Sequence, residues 1–289
     1  MRLSPYLLLL MLLALSACEE EIDYESTTVD IPQRLVVDCW LTDLPETQYV
    51  RLQKSRNVSD ADQEPEMITG AEVSIAYNTT ELLLNEETPG SYATPTGWQA
   101  EAGTTYHLHI FWEGSTWTAS AYMQPAADFE VLTLVPANEL ASNPGMDLES
   151  WWGIRFLTNQ FGYDNPSRWD LYRILPDSII STHPDSVQDQ LRNPEPVVYY
   201  THPSLQTDGL LNFETVDNKI FPGGTIVRQI RYGLSEEHYA YLSAVLSESD
   251  WSGGLFDPTP GNVPSNITNN GLGWFGASGT LVKEQVAGQ

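Results

Sequence analysis

The 289-residue chain carries 39 acidic residues against 13 basic ones, a formal charge of -26. A surface of that sign has no basic patch to neutralise phosphates, which excludes nucleic acid as a partner and sets the chain against anionic headgroups. With only Cys18 and Cys39 there is no disulfide framework, so packing has to hold the fold.

The chain begins with one positive charge, Arg2, and an apolar run from Tyr6 to Leu15 that ends in Leu15-Ser16-Ala17-Cys18. The run is too short to span a bilayer and has the form of a signal peptide over residues 1–17. A small residue before a Cys, with Leu three positions upstream of it, resembles a bacterial lipobox. The expectation is cleavage before Cys18, acylation of that residue, and anchoring of the protein to a membrane through its acyl chains. Residues 18–33 begin Cys18-Glu19-Glu20-Glu21, show no apolar periodicity and read as a flexible tether. The acidic triplet resembles the signal that sends some Bacteroidota lipoproteins to the outer face of the outer membrane, which implies exposure at the cell surface.

From Arg34 the pattern is that of strands. Leu35 to Leu41 is apolar and β-rich, and Thr47 to Leu52 is its expected partner after the Leu44-Pro45 turn. Cys39 falls inside the first run and reads as a small buried hydrophobe. Ala71 to Ile75 alternates with period two, and Thr88-Pro89-Gly90 is a turn. Gly103 to Ile110 followed by Trp117 to Ala119 forms the clearest hairpin, turning at Glu113-Gly114. His107 and His109 share one face of it, but no third ligand accompanies them and no metal is assigned. Short strands at this spacing predict an immunoglobulin-like β-sandwich over residues 34–124.

Gln124 to Asp128 is the expected boundary to a second, β-rich domain over residues 128–289. Its strands are expected at Phe129 to Val135, Trp151 to Leu157, Arg168 to Leu175, Val197 to Tyr200, Leu210 to Glu214 and Thr225 to Tyr232. Pro176 to Pro196 is polar and Pro-rich and reads as a surface loop. One packed α-helix is predicted over about 236–248, with Ser235 as N-cap and Glu236 and Glu237 in the first turn. Tyr239, Leu242 and Leu246 form its apolar stripe, with Tyr241 and Val245 beside them. The Trp274 to Val282 stretch is expected to close the sheet as a last strand.

Leu35-Val36-Val37, Gly70-Ala71-Glu72-Val73, Gly90-Ser91-Tyr92, Ala102 to Tyr106, the helix, the run from Leu255 to Val263, Asn266-Ile267 and Leu272-Gly273-Trp274-Phe275 form a set in order and spacing. Together they resemble the Bacteroidota outer-membrane lipoprotein family known as domain of unknown function 4249. The resemblance implies an anchored β-protein, often encoded near TonB-dependent transporters, and carries over no catalytic residues or cofactors.

For chemistry, the sequence holds no Gly-x-Ser-x-Gly elbow, His-Glu-x-x-His or Cys-x-x-Cys motif. His183 and His202, each before a Pro, are the loop histidines to watch. Nine Trp and fourteen Tyr favour binding over catalysis, because aromatic faces stack on sugars or anchor protein partners. Trp151, Trp152, Trp169 and Trp251 are the candidate ligand-binding residues, with Trp274 beside them. The expectation is a non-catalytic, lipid-anchored surface protein serving as an accessory binding component for TonB-dependent uptake. A structural or adhesive surface lipoprotein is the alternative, and a hydrolase the third reading.

Overall fold

The computed structural model describes residues 32–56, 63–140, 150–155, 165–203, 220–248 and 263–289, over which the chain is mainly β. Strand β1 (Leu35–Thr42) sends Leu35, Val37, Cys39 and Leu41 inward, the period of two that its apolar residues predict. It pairs antiparallel with β2 (Tyr49–Lys54), and β3 (Glu72–Tyr77), β4 (Thr80–Leu83), β5 (Asn85–Thr88) and β6 (Ser91–Ala93) follow. The hairpin of β7 (Thr105–Trp112) and β8 (Ser115–Tyr122) turns at Glu113 and Gly114, whose φ values of 47° and 77° are those of a type I′ turn.

These strands form two facing sheets, β4-β3-β7-β8 and a five-stranded sheet ordered β15-β1-β2-β6-β5, where β15 is Leu272–Ser278. Val37, Leu41, Val50, Leu52 and Tyr92 of one sheet share a core with Val73, Ile75, Tyr106, Leu108 and Ile110 of the other. Tyr106 stands near the start of β7, and its hydroxyl accepts the Glu101 N–H at 2.6 Å. A tyrosine bonded back to the preceding backbone in this way is a mark of immunoglobulin-like sandwiches.

The rest of the chain builds a second core from Phe129, Leu132, Ile154, Trp169, Leu171, Tyr199, Phe221 and Val227. A three-stranded sheet of β9 (Thr133–Pro136), β10 (Trp151–Arg155) and β13 (Phe221–Pro222) contributes to it, in the order β13-β10-β9. So does a four-stranded sheet ordered β12-β11-β14-β16, made of β11 (Ser167–Ile174), β12 (Val197–Thr201), β14 (Ile226–Gly233) and β16 (Thr280–Val286). The expected strand at Leu210 to Glu214 lies outside the described residues.

Three elements of secondary structure differ from the sequence reading. Pro176 to Pro196 is not a plain loop, because it contains the helices α1 (Asp177–Ile180) and α2 (Asp185–Arg192). Each starts directly after a proline with an Asp in its first turn, where a fixed φ and the helix dipole both help. The expected last strand is two strands, β15 and β16, which join different sheets and change over at Gly279. Helix α3 (Glu236–Glu248) has the predicted bounds, but its one buried residue is His238, and Leu242 and Leu246 are half-buried.

The segment at 124–128 separates the two cores, but not two runs of sequence. β15 lies beyond it in the chain and still pairs in parallel with β1 from Val36↔Leu272 to Thr42↔Ser278. Ile267, Phe275 and Ala277 accordingly belong to the first core, and Gln33–Gln289 forms one compact unit. Buried Arg231 ties the segment down, its Nη1 donating to the carbonyls of Ala127 at 3.2 Å and Asp128 at 3.1 Å.

Candidate functional site

Where β8, β15 and the first turn of α3 converge, the surface is hollowed into a cleft of about 380 Å³. Ser120 to Tyr122 and Thr105 form one wall, Ser235, Glu237 and His238 a second, and Trp274 to Ala277 a third. Ser235 caps α3 as its residue type predicts, with its Oγ accepting the His238 N–H at 3.2 Å. That cap fixes the turn from which His238 points inward.

The imidazole of His238 is 4% exposed and rests on Gly276. A Cβ at position 276 would stand 2.4 Å from its Cε1, so only glycine leaves room for the ring. Trp40 meets the imidazole edge-on at 4.9 Å, Trp274 stacks alongside at 6.1 Å, and Tyr241 stacks on Trp274 at 4.9 Å. Among the described residues neither ring nitrogen has a hydrogen-bond partner, and Nδ1 is sealed from solvent. Burial, and then the charge of Arg168, lower the His238 pKa from 6.5 to about 4, so the ring is neutral at neutral pH.

Behind this ring lies an ion pair. Arg168 and Asp170 alternate with Trp169 along β11, so they leave the second core and face the helix side of their sheet. The guanidinium grips the Asp170 carboxylate at 2.7 and 3.1 Å and lies over the rings of Trp40 at 4.9 Å and Tyr232 at 5.7 Å. Burial pulls the Arg168 pKa down, but the charge and hydrogen bonds of Asp170 outweigh it and hold the guanidinium charged. Burial and the Asp170 charge push the Tyr232 phenol well up.

Asn266 shapes the wall next to β15. Its Nδ2 donates to the Phe275 carbonyl at 2.8 Å and its Oδ1 accepts the Phe275 N–H at 3.0 Å, as a neighbouring strand would. The next residue, Ile267, is buried in the first core. Gly90 likewise sits at φ +71° with the Leu52 carbonyl 2.6 Å from where a Cβ would be, and the Tyr92 hydroxyl accepts the Ala71 N–H at 3.0 Å. The sequence motifs around these residues are therefore devices for closing the sandwich around the first core. Residues 19–284 match the family described as Domain of unknown function (DUF4249). The chain belongs to that family. No curated protein matches the DUF4249 chain.

The tryptophans singled out in the sequence do not gather in this cleft. Trp169 is 1% exposed in the second core, stacked on Tyr199, with its Nε1 donating to Thr201 Oγ1 at 3.0 Å. It offers no face to a ligand. Trp152 is half-buried against the same core and Trp151 beside it is 36% exposed at the sheet surface. Trp274 alone lines the cleft, while Trp251 and Cys18 lie outside the described residues.

His107 and His109 are exposed on the outer face of β7, and among the described residues no three His, Cys, Asp or Glu side chains come together as a metal site. Cys39 is buried, and burial followed by the Asp38 charge pushes its thiol up, away from reactivity. His183 is exposed, and His202 meets Glu236 at 2.9 Å. Sequence reasoning missed His238, Gly276 and the Arg168–Asp170 pair. The Arg-x-Asp spacing on a strand was the available signal, since it puts both groups on one face.

Proposed function

We propose that this DUF4249 protein is a lipid-anchored, non-catalytic binding component of the outer-membrane surface, acting as an accessory to TonB-dependent nutrient uptake. The cleft carries this reading. It is of a size that holds a small ligand and is lined by aromatic rings, hydroxyls and an imidazole with unused hydrogen-bonding capacity. A catalytic histidine works through a partner that orients it and accepts or supplies its proton. His238 has none among the described residues and is held neutral, which favours holding a ligand over transforming it. The Leu15-Ser16-Ala17-Cys18 stretch supplies the anchor, and acyl chains at about 0.8 kcal/mol per buried CH₂ give stable attachment once two or more are present.

Two measurements test the reading. Cys18→Ala should move the protein from the membrane to the soluble fraction, and retention at the membrane would refute the anchor. Crosslinking of the wild-type protein on intact cells should recover a TonB-dependent transporter. Recovery of other surface proteins alone would refute the accessory role.

A further inference from the structure

The groups around the cleft restrict what can occupy it. Glu236 and Glu237 are exposed in the first turn of α3, Glu237 lines the cleft, and the chain as a whole carries -26, so an anion is repelled. The Arg168–Asp170 pair behind the His238 ring adds no net charge, and the carboxylate that lines the cleft, Glu237, is exposed, so a cation finds no buried counter-charge there. A purely apolar occupant fits no better. It would strip water from Nε2, the ring nitrogen of His238 that is not sealed off, and give it no partner in return, which is unfavourable for a polar group.

An uncharged ligand with several hydroxyls meets every one of these conditions. In a neutral imidazole Nε2 is a donor in one tautomer and an acceptor in the other, and a hydroxyl can answer either. Ser120 and Thr105 place further hydroxyls on the opposite wall, and the Glu237 carboxylate accepts. Tyr122, 45% exposed at the end of β8, supplies an aromatic face for the C–H surface of a sugar ring. The volume of about 380 Å³ suits a short saccharide and is too small for a folded partner.

We infer that the cleft between β8, β15 and α3 is a carbohydrate site, in which hydroxyls of an uncharged saccharide engage His238 and Glu237 while a ring face rests on Tyr122. The assignment rests on the binding role proposed above and names its ligand class.

The test uses the full mature lipoprotein in a detergent without a sugar headgroup. Titration calorimetry and tryptophan fluorescence are followed against neutral cello-, xylo- and manno-oligosaccharides, with oligogalacturonates and chitosan oligomers as charged counterparts. At least one neutral series should bind saturably and shift the ¹⁵N resonances of the His238 ring. Tyr122→Ala, at an exposed position, should weaken that binding about tenfold or more while leaving thermal stability unchanged. His238→Gln should weaken it as well. Saturable binding of charged oligomers alone, no binding of any neutral series, or wild-type affinity in both variants would overturn the carbohydrate site. Transporter crosslinking separates the two proposals. If it persists while no saccharide binds, the ligand class is refuted and the accessory role stands. If saccharides bind and no transporter is recovered, the converse holds.

Discussion

Replacing Phe275 with Ala tests whether the β1–β15 pairing holds the first sandwich together. Phe275 is 0% exposed, lies opposite Cys39 of β1, and has both backbone groups held by Asn266. Removing a fully buried phenyl ring loses its transfer free energy and leaves a cavity, about 3–5 kcal/mol together. In a unit of this size each kcal/mol moves Tm by about 2–4 °C, so the melting temperature should fall by roughly 6–20 °C. Phe111→Ala is the internal control. Its ring is 50% exposed on the outer face of β7, and the change should stay within about 0.5 kcal/mol, under about 2 °C. Differential scanning calorimetry on both variants decides the matter. A fall for Phe275→Ala no larger than for Phe111→Ala would refute the claim that β15 completes the first core.

Two further outcomes follow from the backbone and from the buried imidazole. Gly273 has φ +83°, and a Cβ there would stand 1.9 Å from the Val37 carbonyl oxygen, so Gly273→Ala should break the pairing locally and lower Tm by more than the Phe111 control. Because the His238 pKa falls from 6.5 to about 4 on folding, its contribution is complete above pH 6.5 and is lost as pH falls toward 4, where the unfolded chain binds the extra proton. The loss amounts to roughly 3 kcal/mol at 1.36 kcal/mol per pKa unit. Urea unfolding near neutral pH and near the acid end of that window should show His238→Gln losing less stability than wild type, and equal losses would refute the assignment.

What the sequence disclosed and what it withheld divide along local and distant interactions. The turn at Glu113-Gly114, the alternation in β1 and the cap and bounds of α3 depend on neighbours in the chain, and each could be read there. The inward face of α3 could not. A histidine scores as polar, and its place inside exists because a glycine on a distant strand lacks a Cβ. Leu242 and Leu246 looked like the natural anchors by spacing alone, yet aromatic stacking through Tyr241, Trp274 and His238 sets the helix. Helices α1 and α2 are short, and α2 has no buried residue, so no apolar periodicity announced them. Tryptophan content pointed to aromatic faces for binding, but composition does not tell which rings face a cleft. Trp169 went to the core because the alternation of β11 turns it away from Arg168 and Asp170.

The changeover at Gly279 sets the order of events during synthesis. Until β15 and β16 have emerged, β1 lacks its parallel neighbour and β14 lacks β16, so these two inner strands stand exposed as the edges of their sheets through most of translation. Covering β1 and β14 requires contacts between strands remote in sequence, which makes the final step slow relative to hairpin formation. A chain shortened by even its last two strands would leave β1 and β14 unpaired on one side at once, a template for association with other copies. Premature stops in this protein should therefore yield aggregates or degraded chains rather than a smaller folded remnant.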